Sequence, residues 1–149
     1  LEAVENKLYQ YSEYKKRIEE QEKQIAELMD KKDALAERML RGQNLDAVRV
    51  MGGLTSDPVF AAVQKMVDVY GTRIDAIRKE IVNLYYLSDD IMRIVNNAGL
   101  TEAEREYIQC RYFDGLRASQ TAARMGYSES RAGDIKRSAL NKISAIIRR

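Results

Sequence analysis

The chain has 149 residues, with 25 basic and 23 acidic side chains, no histidine, no tryptophan, one cysteine and one proline. Without histidine it lacks the commonest general base, the histidine-dependent nucleophile systems and nearly all zinc chemistry. A single cysteine excludes an internal disulfide framework and any cysteine metal cluster.

Charged residues make up 32% and aromatic residues only 7%. With one proline among many Ala, Glu, Lys, Arg, Leu, Ile and Met residues, this composition predicts an all-α protein, either one domain or one small domain with an extension. No run of 18 apolar residues is available to span a membrane, and no secretory signal is legible at the start. With Cys110 the lone thiol, a cytoplasmic location is expected. The start at Leu1 rather than methionine reads as a processed fragment. No Walker loop, dinucleotide fingerprint or metal triad is present, and Met51-Gly52-Gly53 lacks the Lys-Ser/Thr that a phosphate loop requires. No enzymatic activity, metal or cofactor is therefore expected.

The first segment, from about Glu2 to Arg41, has no Gly or Pro. Apolar residues recur at Leu1, Val4, Leu8, Tyr11, Tyr14, Ile18, Ile25, Leu28, Leu35 and Met39, a spacing that predicts one face of a long helix. Gln21 and Lys32 fall on the same seam. Forty helical residues reach roughly 60 Å, and a helix of that length needs a partner for its apolar stripe.

Residues 42–58 read as a linker loop rich in turn and cap residues, ending in Asp57-Pro58 as a helix start. Phe60, Val63, Val67, Tyr70, Ile74, Ile77, Ile81, Leu84, Ile91, Val95 and Ala98 then follow steps of three and four, interrupted only by Ser88. This heptad seam predicts coiled-coil packing, with Gly99 as the C-terminal cap. The two long segments either pair as an antiparallel hairpin within one chain or pair between chains in a homodimer. The hairpin needs only the shorter connection. The tyrosines Tyr9, Tyr11, Tyr14, Tyr85 and Tyr86 read as packing residues, and the adjacent acidic pairs Glu19-Glu20 and Asp89-Asp90 point to different sides of a helix, which suits no metal site.

From Leu100 the character changes. Thr101 and Glu104 form a capping box ahead of a short helix that Asp114-Gly115 ends. A second short helix covers about Ala118 to Met125, Gly126 supplies a tight turn, and Ser128 caps a third helix whose buried face is Ala132, Ile135, Ala139, Ile143 and Ile146. Cys110 reads as a small buried hydrophobe. Two short helices joined across a glycine, the second longer and basic, fit a helix-turn-helix, in which the helix after the turn presents its N-terminal residues to base edges in the major groove. The domains are thus 1–99, a long-helix region, and 100–149, a three-helix DNA-binding domain.

The stretch from Leu100 to Ile143 resembles region four of bacterial sigma factors without a gap. It reads Leu100-Thr101-Glu102, then Arg111-Tyr112, Asp114-Gly115-Leu116, Ala122-Ala123-Arg124-Met125-Gly126-Tyr127-Ser128, and closes with Ala139-Leu140 and Lys142-Ile143. Two departures stand out. No region-two-like segment precedes it, so a complete sigma factor is not expected, and Gly133 and Asp134 lie in the recognition helix where the family has basic or small polar residues. A long helical half followed by such a domain also resembles the small phage late-gene activators of Gram-positive bacteria, of the RinA and ArpU type. That resemblance implies an activator acting in a bacterial cytoplasm, with RNA polymerase as a second partner.

Charge placement supports double-stranded DNA as a partner independently. Residues 1–100 carry 15 basic and 17 acidic groups, whereas residues 101–149 carry 10 and 6. From Arg117 onward there are 8 basic groups against 2 acidic ones, the electrostatic footprint of phosphate contact. Ser130 and Arg131 on the first turn of the recognition helix are the candidates for base readout, together with Asp134, which accepts from a cytosine amino group or excludes wrong sequences. Arg117, Gln120, Lys136 and Arg137 are candidates for phosphate contacts. Lys142, Arg148 and Arg149 reach phosphates or keep the tail solvated. Against this stands a plain alternative, that Asp134 forms a local surface ion pair with Arg131 or Lys136. Two other functions fit the same outline: DNA recognition in phage packaging, as in a small terminase subunit, and a region-four mimic that binds polymerase without touching DNA.

Overall fold

The structure of the protein, a computed structural model, describes residues 1–49 and 58–148, and the side chains of 42–49 lie outside that description. The described residues form α1 (Glu2–Arg49), α2 (Pro58–Asn97), α3 (Glu102–Ile108), α4 (Ala118–Met125) and α5 (Glu129–Ile147), with a π-helical turn over Gln109–Phe113 continuing from α3. The fold is all-α, as the composition predicts, and among the described residues no helix is long and apolar enough to cross a membrane.

The expected stop after Arg41 is not where α1 ends. The helix continues through Gly42 to Arg49. One glycine in a helix interior costs only about 1 kcal/mol relative to alanine, and Gln43, Leu45, Ala47 and Arg49 are good helix formers, so nothing in that stretch forces a break. The remainder of the expected linker, residues 50–57, lies outside the described residues, as does its helix-start signal at Asp57.

The chain packs as two compact units. One comprises Leu1–Ile18 together with Asn83–Arg149, and the other Glu19–Val82. In the second unit Leu28, Ile74 and Ile81 are buried. Lys32, one of the two polar residues on the seam of α1, lies beside Gly71 of α2, where an added β-carbon would stand 3.6 Å from its Nζ. The small residue thus leaves room for the lysine stem, and α1 and α2 run antiparallel within this unit.

The first unit holds the main core. Val4 and Leu8 of α1 pack with Ile91 and Val95 of α2, and the same cluster continues through Leu100, Tyr107, Ile108, Tyr112, Ala122, Ala132, Ile135, Ala139, Leu140 and Ile143. The division at Gly99 read from the sequence therefore does not coincide with the packing, because the first turns of α1 and the last turns of α2 share a core with the three short helices. Gly99 does mark a change of direction, with φ of +69°. Ser88, the interruption in the seam of α2, is fully buried and turns its hydroxyl back onto the Tyr85 carbonyl at 3.0 Å, so a polar group sits in the core without an unmet hydrogen bond. Tyr9, Tyr11 and Tyr14 pack on this core as expected. Tyr86 does not: it is 69% exposed, because it lies off the face that carries Leu84, Ile91 and Val95, whereas Tyr85 is more than half covered and has the Lys15 ammonium of α1 over its ring at 5.2 Å.

Candidate nucleic-acid interface

The local signals of the terminal helices are realised atom by atom. The Thr101 hydroxyl accepts from the Glu104 backbone N–H at 3.2 Å, and the Glu104 carboxylate accepts from the Thr101 N–H at 3.1 Å, which closes the capping box at the start of α3. At the end of α4, Gly126 adopts φ of +77°. Its N–H and that of Tyr127 donate to the carbonyls of Ala123 and Ala122, the paired bonds that end a helix in a left-handed residue. Ser128 then caps α5, its hydroxyl accepting from the Arg131 N–H at 3.1 Å. Of the adjacent small residues Ala122 and Ala123, the first is buried and the second exposed. Tyr127 is exposed as well.

On α5 the buried residues are Ala132, Ile135, Ala139, Leu140 and Ile143. The opposite face is exposed and carries Ser130, Arg131, Asp134, Arg137, Ser138 and Asn141. The structure therefore places the three residues read as base contacts on one open surface. Ser138 and Asn141 share it and escaped the sequence reading, although their spacing of four and seven residues from Asp134 is the signal that finds them. Asp134 is paired with the Arg137 guanidinium, so the local ion pair exists, with a partner other than Arg131 or Lys136.

The phosphate candidates divide. Arg117 and Gln120 are exposed at the start of α4, where the Gln120 side chain accepts from the Arg117 N–H at 3.0 Å. Arg137 is exposed. Lys136 and Lys142 are engaged elsewhere. Lys136 Nζ lies 2.8 Å from the Glu5 carboxylate on α1, and Lys142 Nζ lies 2.6 Å from the buried Glu104 carboxylate. Each lysine leans off the open face toward a carboxylate the sequence reading did not connect to it, and any phosphate must compete with that carboxylate.

Two acidic residues thus organise the inner side of the interface. Glu5 also accepts from the Tyr112 hydroxyl at 2.8 Å. Burial pushes the Glu5 carboxyl up, but the hydrogen bonds from Lys136 and Tyr112 and the charges of Lys136 and Arg111 outweigh it and hold it below the usual carboxylate range. Glu104 behaves alike: burial raises it, and the hydrogen bonds from Lys142 and Thr101 bring it below that range. Burial and the Glu5 charge push the Tyr112 phenol far up, so it stays a hydrogen-bond donor. Arg111 lies over the rings of both Tyr9 and Tyr112 at 5.7 and 5.8 Å and donates to the Leu116 carbonyl at 3.0 Å. It therefore stiffens the connection into α4. Cys110 is buried and free. Among the described residues no three His, Cys, Asp or Glu side chains gather in a way that could hold a metal ion.

Two short helices across a left-handed glycine, with an open polar face on the second, make a helix-turn-helix. Residues 98–145 match the family model described as Sigma-70, region 4. The terminal domain is thus a region-four-like helix-turn-helix, and the match begins at Ala98 and ends within α5. No curated protein and no solved structure matches the chain.

Proposed function

We propose that the chain is a sequence-specific DNA-binding regulator of transcription that works without catalysis in a bacterial cytoplasm. Within that class, activation of phage late genes is the finer reading. The observation that carries the proposal is the region-four-like match over residues 98–145, realised with a recognition helix whose exposed face bears Ser130, Arg131, Asp134 and Arg137. Four backbone N–H groups at a helix start lack partners in the helix. At α5 the Ser128 hydroxyl takes that of Arg131 and leaves others to meet a phosphate. RNA polymerase is the second partner this reading carries.

The test is selection of bound sequences from a random duplex pool, followed by affinity measurements over a range of salt. A regulator of this kind yields a defined motif and an affinity that falls steeply with salt, since each neutralised phosphate releases counterions. Placing the motif upstream of a reporter then separates activation from repression. Binding without any sequence preference sinks the proposal. The polymerase-binding mimic remains a second reading because Lys136 and Lys142 are held by carboxylates, which reduces the open positive charge. Purified chain that binds polymerase yet shows no salt-dependent affinity for duplex DNA would select it.

A further inference from the structure

The outer face of α5 has a centre and two flanks. At about 100° per residue, Ser130, Asp134, Arg137 and Asn141 fall in one row directly opposite the buried Ala132, Ala139 and Ile143, whereas Arg131 and Ser138 fall to one side. When such a helix lies in a major groove, the row opposite its core faces the groove floor, where the base edges are, and the flank faces a wall of phosphates. Arginine 137 therefore occupies a floor position, and Arg131 a wall position.

Asp134 explains how an arginine in that row becomes specific. A carboxylate on a DNA-facing surface is repelled by phosphates, so a lone aspartate there is unfavourable. This one is not alone: its Oδ1 accepts from an Nη of Arg137, three residues on and in the same row. The pair is open to solvent, with side-chain exposures of 66% and 55% for Arg137 and Asp134, and an exposed pair of this kind adds little stability. Its effect is orientational. An arginine has several freely rotating bonds, and ordering it on binding costs entropy. A carboxylate that holds one guanidinium edge in advance leaves the other edge presented as a fork, the shape that matches guanine O6 and N7.

We infer that Arg137 is a base-reading residue for guanine and that Asp134 is its positioning residue, with Arg131 serving the phosphate wall. This rests on the DNA-binding reading above and reverses the roles the sequence suggests for the two arginines.

The experiment uses the full chain on its selected duplex and on duplexes carrying each single base-pair change, with salt titrations for the wild type, R137K, D134N and R131K. Lysine keeps the charge and loses the fork. R137K and D134N are expected to lose about tenfold of discrimination at one and the same G·C pair, with the salt slope unchanged, while R131K keeps the preference at every position. Circular dichroism on each variant confirms an unchanged fold, which these exposed positions permit. Selective binding that survives R137K, or a loss confined to R131K, overturns this inference and leaves the DNA-binding reading standing. A wild-type chain that prefers no duplex overturns both.

Discussion

Glu5 and Lys136 meet at 2.8 Å, joining the first turns of α1 to the middle of the recognition helix. The same carboxylate oxygen takes the Tyr112 hydroxyl. One acidic group thereby ties α1, the π-helical turn and α5 together inside a single compact unit, and Val4 and Leu8 lie in the core beside it.

Substituting Glu5 with Gln should loosen this junction. The Tyr112 hydroxyl keeps an acceptor, but the lysine loses its counter-charge. Because Lys136 is about a third exposed, the expected loss is modest, about 1 kcal/mol, read as a lower urea midpoint. Tyr112→Phe removes a second hydrogen bond on the same atom, so the double variant should lose less than the two single losses added together. Strict additivity would mean that the three groups do not act as one cluster.

Acid should weaken the same unit. Glu5 and Glu104 both sit below the usual carboxylate range in the folded chain. A depressed folded value means that the stabilisation is fully present above the unfolded value, about 4.3 for glutamate, and is lost as pH falls through the folded one. The unfolding midpoint should therefore fall as pH drops below about 4.3, and the fall should shrink in a chain carrying both E5Q and E104Q. An unchanged acid profile in that double variant would place the sensitivity elsewhere.

Lys136→Ala should leave the salt dependence of DNA binding nearly unchanged, because its ammonium is already matched by Glu5. Arg117→Ala, at an exposed position at the start of α4, should lower the slope by about one counterion. Plots of log affinity against log salt for the two variants give the comparison directly. A full unit lost in the lysine variant would mean that DNA displaces Glu5.

Gly126→Ala should destabilise the domain although space for a methyl group exists, since nothing lies within 4 Å of an added β-carbon. The cost is conformational: an L-residue at φ of +77° pays about 1–2 kcal/mol for the left-handed region. A lower thermal midpoint checks this, and Gly126→Asn should recover part of it, because asparagine tolerates that conformation better.

A chain of residues 98–149 alone should fold poorly. Val4, Leu8, Ile91 and Val95 complete the core around Tyr112 and Ile143, and removing them exposes apolar surface worth about 25 cal/mol per Å². Circular dichroism of the truncated chain should show reduced helix, with recovery when 1–18 and 83–97 are retained.

What the sequence made legible was local. The capping box, the glycine turn, the Ser128 cap and the buried face of α5 at Ala132, Ile135, Ala139 and Ile143 each depend on neighbours within four residues, and helical periodicity announces them. Leu140 joined that face because a helix packed on two sides buries a wider arc than a simple stripe predicts. The pairs Glu5–Lys136 and Glu104–Lys142 were not legible. Each joins residues far apart in the chain, and a surface lysine carries no mark of the carboxylate it will meet. The grouping of helix ends with the terminal domain was hidden for a related reason: the seam of each long helix reads continuously, while the partner it faces changes along its length.

The π-helical turn over Gln109–Phe113 carries one more residue than an α-helical turn closed over the same span. Chain length there, rather than residue type alone, sets where Tyr112 points. Deleting a single residue from α3 ahead of it would swing everything after by about 100° around the helix axis, turning the phenol away from Glu5, whereas a deletion within the wide turn itself closes it to ordinary α spacing and takes up most of that rotation. This segment is therefore the one place along that helix where the domain can lose a residue and keep its register.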